Sequence, residues 1–203
     1  MKKGLKILQT KTFYDNYINI FLTENSKVNL ISKNDEKYLW EKHIFDSISI
    51  AKFFEKYGEP TNILDIGTGG GFPSVPIAIT YPNINIYAVD SIRKKINAVN
   101  NIKNELNITN LTPICDRVEN INQKFDVVTS RAVASLDKIC EYALQKLNKN
   151  GYFVAYKSKK TQEEIDNATK ILKKYKAEII DIIEYELPLE ENFTRNLIII
   201  KKN

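Results

Sequence analysis

The chain has 203 residues, of which 43% are hydrophobic and 27% are charged, with seven glycines and six prolines. This composition is typical of a globular protein and excludes collagen-like, mucin-like and disordered chains. No apolar stretch reaches the roughly 18 to 20 uninterrupted residues of a membrane helix, and the basic start lacks the apolar segment of a secretory signal. Length and composition therefore predict a cytoplasmic protein that consists of one domain with an added flank and has no membrane partner.

Disulfide partners and metal ligands are scarce in this sequence. Its two cysteines, Cys115 and Cys140, cannot build a disulfide framework, and with the single histidine, His43, they have no spacing typical of a metal site. We therefore expect no bound metal and interpret both thiols as small buried apolar groups. The net charge of +5 permits an anionic partner, but lysine supplies most of the basic side chains, and that charge identifies no partner by itself.

The N-terminal part of the chain is predicted to be helical. Apolar residues recur at three- to six-residue steps at Leu5, Leu8, Tyr14 and Ile18. A clearer helical period runs over residues 39–54, and the stretch ends at Gly58 and Pro60. The sequence therefore predicts a helical extension over residues 1–58, which packs on a core over residues 59–203 so that both form a single compact unit.

After this extension, short apolar runs alternate with helical segments. The runs are NILDIG, IYAVD, LTPICD, FDVVTS and YFVAYK, followed by two late strands near residues 179–186 and 196–201. Helices are predicted between the strands, including segments near residues 135–147 and 161–176. Continuous apolar runs suit strands that are buried on both faces. We therefore predict an α/β fold with a seven-stranded, mostly parallel sheet and an antiparallel last strand.

A glycine-rich turn, LDIGTGGGFP, follows the first predicted strand and opens a helix. Gly67, Gly69 and Gly71 remove side chains at alternate positions, so the main chain can turn sharply and approach a bound nucleoside. A dinucleotide site would need glycine at the position of Phe72. The pattern of an acidic residue followed by three alternating glycines instead fits an S-adenosylmethionine site, in which Asp65 lies near the amino group of the methionine portion.

Two further acidic residues follow neighbouring strands. Asp90 ends the second strand, where a carboxylate can accept hydrogen bonds from both ribose hydroxyls of a nucleoside. Asp116 follows the third strand and brings a carboxylate and backbone amides to the same edge of the sheet, where adenine is bound in this architecture. The alternative is a tight turn without a ligand, with Asp90 acting only as the cap of the helix that begins near Ile92.

Several longer segments closely resemble one protein family. They are LDIGTGGGFPSVPIAI, AVDSIRKKI, VTSRAVASL, YFVAYK and TRNLIIIKK, with NLIS and KHIFDSI before the sheet. From about residue 28 to residue 201, the chain resembles the glucose-inhibited division protein B family, which are ribosomal RNA small-subunit methyltransferase G enzymes. The resemblance implies a Rossmann-like class I methyltransferase that uses S-adenosylmethionine to methylate guanine N7 in the decoding-region loop of 16S ribosomal RNA. The implied partner is 16S ribosomal RNA or the small ribosomal subunit, and we expect a monomer.

The resemblance also implies which residues bind the methyl donor. The matching positions of this chain are Gly67, Phe72, Val118, Glu119 and Arg131. Asp90 fits the general methyltransferase role described above. The chain departs from the family pattern at two positions, because Ser74 stands where the family often has glycine and Gly70 stands where it often has proline. Both departures can alter the stiffness of the turn without removing a ligand group.

The residue after the fourth strand bears on the chemistry. Guanine N7 carries an exposed lone pair, so its methylation needs no prior removal of a proton and the enzyme can work by placement. Exocyclic-amine methyltransferases of this fold have an Asn/Asp-Pro-Pro-aromatic motif here, whereas this chain has Ser130-Arg131-Ala132. Arg131 is therefore the strongest candidate active-site residue, since its planar charged fork can bind the donor's carboxylate or a phosphate.

Other candidates have two interpretations each. Lys157 either binds phosphate or guanine in the active site or is an ordinary solvated lysine. His43 either stacks on RNA or caps the site, or it packs in the core or between helices. The basic run Arg93–Lys95 either contacts the RNA backbone or forms a solvated helix face. Arg195 either matches a family arginine or forms a structural ion pair.

Three other functions compete with this prediction. Tyr142 and Lys146 have the spacing of the Tyr/Lys pair of a short-chain dehydrogenase, although they lie closer to the glycine turn than that family usually places them. A methyltransferase fold that only binds RNA is a second alternative, although no RNA-binding motif is recognisable. A different methyl acceptor within the same fold is the third. Cytosine C5 is disfavoured, because neither cysteine is placed as the nucleophile.

Overall fold

The computed structural model describes residues 11–158, 162–190 and 193–203. Within these ranges, seven strands form one sheet: β1 Asn62–Ile66, β2 Asn85–Asp90, β3 Leu111–Cys115, β4 Phe125–Arg131, β5 Leu147–Ser158, β6 Ala177–Leu187 and β7 Phe193–Lys202. The α-helices are α1 Asp15–Val28, α2 Lys33–Glu36, α3 Asp46–Ile48, α4 Ala51–Tyr57, α5 Ser74–Thr80, α6 Arg93–Glu105, α7 Leu136–Lys146 and α8 Gln162–Lys174. A π-helix, Leu39–Phe45, runs directly into α3, and short 3-10 helices span Lys11–Tyr14 and Val118–Asn120.

The strand order is β3-β2-β1-β4-β5-β7-β6. The strands from β3 to β5 are parallel, and β7 lies antiparallel between β5 and β6. The predicted seven-stranded, mostly parallel sheet with an antiparallel last strand is confirmed. The chain order reverses between β1 and β4, and a crevice opens at such a point beyond the carboxyl ends of the strands.

Both faces of the sheet are covered by helices. Successive strand residues point to opposite faces, so Ile63 belongs to one hydrophobic cluster and Leu64 to the other. The N-terminal helices, α5 and α6 pack in the cluster of Ile63, whereas α7 and α8 pack in the cluster of Leu64. This arrangement explains why the strands read as continuous apolar runs.

Two residues with positive φ end helices of the N-terminal extension. Asn29 adopts the left-handed conformation after α1, with its N–H donating to the Asn25 carbonyl at 2.9 Å. Gly58, with φ of +88°, ends α4. The Tyr14 hydroxyl lies 2.5 Å from the Thr80 hydroxyl and ties the extension to α5. The predicted helical positions at Leu5 and Leu8, and residue 161 of the late helix, lie outside the described residues.

One strand begins earlier than its apolar run. The run YFVAYK predicted the fifth strand, but β5 begins at Leu147 and includes the polar residues before the run. The register of β4 against β5 shifts between Phe125 and Val127, which accommodates these residues. In the part of the chain that the structure describes, no helix is long and apolar enough to cross a membrane.

Candidate active site

A cleft of 1070 Å³ opens at the carboxyl ends of the parallel strands. It lies where the strand order reverses between β1 and β4, which is the usual ligand position in an open α/β sheet. Most residues that the sequence singled out line this cleft: Gly67, Gly69, Phe72, Asp90, Asp116, Val118, Glu119, Arg131 and Lys157. Asp65 and Gly71 do not line it.

The glycine turn is held against the neighbouring strand by its backbone. The N–H groups of Gly67 and Thr68 donate to the Val89 carbonyl at 2.8 and 3.0 Å, and the Gly69 N–H donates to the Asp90 carboxylate at 3.0 Å. Gly67 has φ of +71°, and a Cβ there would lie 2.5 Å from Val133 Cγ2. Glycine at this position therefore lets the loop after β4 approach the turn.

Gly71 has a packing role in the structure. Its φ is +90°, and a Cβ would lie 2.6 Å from Val75 Cγ2 and 3.4 Å from Val99 Cγ2. The residue allows α5 and α6 to approach the turn closely, which differs from the predicted approach to a nucleoside.

Asp65 is buried behind the cleft. Ser74 Oγ donates to its carboxylate at 2.6 Å, and Thr129 Oγ1 donates to the other oxygen at 3.0 Å. Burial raises the pKa of Asp65 to about 6. Both carboxylate oxygens are engaged inside the protein, and Asp65 does not line the cleft in which the predicted contact with the donor's amino group would be made. Ser74, a departure from the family pattern, is thus one of the two hydroxyl partners of the buried carboxylate.

Replacing Asp65 by asparagine is expected to remove a contribution that lowers the free energy of unfolding as the pH rises from about 4 to about 6. Because the folded-state pKa of about 6 exceeds the ordinary 3.8, the folded state binds more protons between these values, and stability falls as the pH rises. The loss is on the order of 2 kcal/mol. The pKa of His43 is lowered to about 4 and gives a slope of opposite sign, so the variant must be compared with the wild type. Urea unfolding at several pH values between about 4 and 7 measures the difference, and identical slopes would contradict the expectation.

The acidic residues at the edge of the sheet bind the backbone. The two oxygens of Asp90 accept from the N–H groups of Ile92, at 2.9 Å, and of Gly69, and Asp90 also lines the cleft. The N-cap of α6 is Ile92 and has no side-chain cap, so Asp90 contacts the turn before the helix and is not the predicted helix cap. One oxygen of Asp116 accepts from the Arg117 N–H at 2.7 Å. Both carboxylates therefore have fixed orientations beside the cleft.

The Tyr/Lys pair of a dehydrogenase is not formed. Lys146 is buried, and its Nζ donates to the carbonyls of Glu119 at 3.0 Å and Ile121 at 2.7 Å. Burial lowers the pKa of Lys146. The lysine thereby joins α7 to the 3-10 helix that carries Val118 and Glu119, and Tyr142 on α7 lines the cleft with 38% of its surface exposed.

Arg131 contacts the N-terminal extension. Its Nη1 donates to the Asp46 carboxylate at 2.9 Å and to the Lys42 carbonyl at 3.1 Å, and its Nη2 lies 3.1 Å from His43 Nδ1. The guanidinium carbon lies 5.0 Å from the centre of the Phe72 ring. The Arg131 side chain is 15% exposed and that of Asp46 is 6% exposed, so this ion pair is largely buried. Three of the five N–H groups of the guanidinium are therefore committed within the protein.

Lys157 anchors the loop after β4. Its Nζ donates to the Ala134 carbonyl at 2.9 Å and to the Glu164 carboxylate at 2.5 Å, and Glu164 also accepts from the Leu136 N–H at 2.9 Å. The side chain is 13% exposed at the cleft. The interpretation as a solvated lysine is therefore wrong, and most of the ammonium's hydrogen-bonding capacity is used inside the protein.

The remaining candidates divide between the cleft and the surface. Lys95 and Arg195 line the cleft, whereas Arg93 and Lys94 do not. Cys140 is buried as predicted, but Cys115 is only partly buried. No group of three or more potential metal ligands occurs among the described residues.

Apart from His43, sequence reasoning missed the part of the site that the N-terminal extension supplies. Asp46 accepts from the Tyr185 hydroxyl at 2.6 Å as well as from Arg131, which joins the extension to β4 and β6. Tyr156 on β5 donates its hydroxyl hydrogen to the Ser47 carbonyl at 2.7 Å. The sequence feature that could have indicated this part of the site is the KHIFDSI segment, which carries His43, Asp46 and Ser47. The segment does not show which residues these side chains and backbone groups contact.

Comparison with known proteins agrees with this geometry. The chain matches the model of the family described as rRNA small subunit methyltransferase G over residues 10–194. A relative of that name from Oceanobacillus iheyensis is 34% identical over 209 residues, which cover 99% of this chain and 87% of the relative. The relative of the same name from Bacillus subtilis is 35% identical over 195 residues, which cover 93% and 81%.

Solved structures support the fold. The N-methyltransferase NodS from Bradyrhizobium japonicum, in complex with S-adenosyl-L-homocysteine, has a TM-score of 0.62 at 11% identity and covers 91% of this chain and 98% of its own. An S-adenosylmethionine-dependent O-methyltransferase from Thermotoga maritima has a TM-score of 0.57 at 17% identity, covering 77% and 64%. The predicted class I methyltransferase fold is confirmed. With the family match and these relatives, the chain belongs to the rRNA small subunit methyltransferase G family of enzymes.

Proposed function

We propose that the protein transfers a methyl group from S-adenosylmethionine to N7 of a guanine in the decoding-region loop of 16S ribosomal RNA. The match to the family over residues 10–194 is the observation that carries the proposal. The cleft at the reversal of strand order supports it, because a nucleoside-containing donor binds at this position in α/β sheets.

The cleft suits a reaction that proceeds by placement. The lone pair of guanine N7 attacks without prior loss of a proton, so the site needs no general base for this step. Bound S-adenosylmethionine supplies an electrophilic methyl group on a sulfonium. The protein's task is to hold N7 about 3 to 3.5 Å from that methyl group and in line with the bond that breaks.

The residues at the cleft fit the methyl donor. A Cβ at Gly69 would meet no atom nearer than 3.9 Å, so this position opens onto the cleft and the backbone can approach a ligand. We assign the ribose hydroxyls to Asp90, and the adenine to Asp116 and the segment Val118–Glu119. Asp65 and Gly71 are omitted from this assignment because neither lines the cleft.

Arg131 and Lys157 act by orientation. With three N–H groups committed, the Arg131 guanidinium has at most two left for a ligand. The guanidinium lies over the Phe72 ring, and we assign it to the methyl donor there. Lys157 holds the loop after β4 in place through Ala134 and has one N–H for the RNA.

The proposed partner is 16S ribosomal RNA, free or within the small ribosomal subunit, and the proposed place of action is the cytoplasm. We propose that the enzyme works as a monomer.

Mapping the methylated nucleotide tests the proposal. Incubation of unmodified 16S ribosomal RNA or small subunits with the protein and labelled S-adenosylmethionine is expected to label one guanine. Reduction and aniline treatment should cleave the strand there, since N7-methylguanine is sensitive to this chemistry. Unlabelled RNA with an intact donor, or label confined to an exocyclic amine or a C5 carbon, would contradict the assignment.

A further inference from the structure

His43 lies in the π-helix, and its side chain contacts Arg131 and Phe72, which both line the cleft. Its Nδ1 is 3.1 Å from Arg131 Nη2, and its ring centre is 5.0 Å from the centre of the Phe72 ring. The residue lines the cleft itself. The imidazole therefore contacts the guanidinium through Nδ1 and packs at a tilt against an aromatic ring.

The contact with Arg131 determines the tautomer of His43. A guanidinium only donates hydrogen bonds, so Nδ1 must be the acceptor and the proton of the neutral ring must be on Nε2. A proton on Nδ1 would place two donors against each other. Burial, together with the charge of Arg131, lowers the pKa of His43 to about 4, which agrees with a neutral ring.

The Nε2–H group of His43 is a donor without an acceptor. Nε2 is buried and has no hydrogen-bond partner among the described residues. An unsatisfied buried N–H is unfavourable, and such groups in native proteins are generally paired with a ligand or an ordered water. Other parts of His43 line the cleft, which makes a ligand bound there the candidate acceptor.

The charges around His43 favour a zwitterionic ligand group over a phosphate. Arg131 is paired with Asp46 at 2.9 Å, and Lys42 is paired with Asp35 at 3.0 Å. These two pairs balance, so the surroundings of His43 carry no surplus positive charge for a phosphate of RNA. The amino-acid end of S-adenosylmethionine has both an ammonium and a carboxylate, and its carboxylate needs N–H donors.

We propose that His43 is a donor-binding residue, whose Nε2–H donates to the carboxylate of S-adenosylmethionine while its Nδ1 positions Arg131 beside the same carboxylate. The inference rests on the proposed function and names the residues that recognise the amino-acid end of the methyl donor. The N-terminal extension thereby contributes directly to donor binding.

Two nucleosides that differ in this end test the inference. S-adenosylhomocysteine has the amino-acid end, and methylthioadenosine lacks it. In calorimetric titrations, His43→Leu is expected to weaken binding of S-adenosylhomocysteine about ten- to hundredfold. Binding of methylthioadenosine should change by less than about twofold, since the proposal gives His43 no contact with the nucleoside. Methylthioadenosine also reports whether the variant is folded.

Two isosteric variants separate the nitrogens of His43. His43→Gln keeps an N–H near the position of Nε2, and His43→Asn keeps an acceptor near the position of Nδ1. We expect His43→Gln to retain more affinity for S-adenosylhomocysteine than His43→Asn and His43→Leu.

Three results would overturn the inference. They are equal weakening of both nucleosides by His43→Leu, unchanged binding of S-adenosylhomocysteine, and an effect confined to the KM for RNA. If the wild-type protein binds neither nucleoside, the proposed function fails together with this inference. If the wild-type protein binds the nucleosides and the His43 variants bind S-adenosylhomocysteine equally well, the inference is refuted and the proposed function is not.

Discussion

Replacing Arg131 by alanine is expected to lower kcat/KM by about a hundredfold. The substitution removes a charged hydrogen-bond donor beside Phe72, and one such bond contributes about 1.5–3 kcal/mol. It also leaves the Asp46 carboxylate, which is 6% exposed, without its cation. Removing one partner of a buried ion pair costs about 3–5 kcal/mol. Steady-state kinetics with both substrates varied measure the first effect, and urea unfolding measures the second.

A second substitution at Asp46 separates activity from stability. In the double variant Arg131→Ala and Asp46→Asn, no unpaired charge remains and the asparagine oxygen can still accept from Tyr185. We expect this variant to regain most of the lost stability but none of the lost kcat/KM. A larger KM for the donor alone would assign Arg131 to S-adenosylmethionine, and a larger KM for RNA alone would assign it to the acceptor. Wild-type kinetics in both variants would exclude Arg131 from the site.

The glycine turn and the residues at the edge of the sheet could be predicted because the sequence patterns that indicate them lie within short segments of the chain. Alternating apolar runs and helices indicate a parallel sheet, and the ends of such strands meet at one edge. Asp90 and Gly69 are therefore brought together by topology alone, and the structure joins them at 3.0 Å. The same reasoning could not reach Asp46, whose bond to Arg131 spans a separation of 85 residues.

Asp65 shows why residue type does not identify a ligand contact. Side chains alternate between the faces of a strand, so Asp65 lies on the same face as Ile63, in the layer covered by the N-terminal helices. The neighbouring Ile66 lines the cleft. A motif that begins with an acidic residue predicts where that residue lies relative to the turn. It does not show whether a hydroxyl group of the protein, here that of Ser74, donates a hydrogen bond to the carboxylate.

Replacing Gly69 by valine is expected to weaken binding of S-adenosylhomocysteine by more than about a hundredfold. Gly69 has φ of +57° and opens onto the cleft, with its N–H held by Asp90. A branched side chain is an outlier at this φ, and it would project into the space that we assign to the donor. Calorimetric titration of the folded variant measures the loss.

The strain of a positive φ must be separated from the blocked cleft, and Gly58 provides the matched control. It has φ of +88° and no atom within 4 Å of a Cβ, and it does not line the cleft. Gly58→Val should therefore lose at least as much stability, about 1–3 kcal/mol, and bind S-adenosylhomocysteine like the wild type. If both variants lose binding equally, strain alone explains the effect. If Gly69→Val binds normally, the donor does not occupy the space beside the glycine turn.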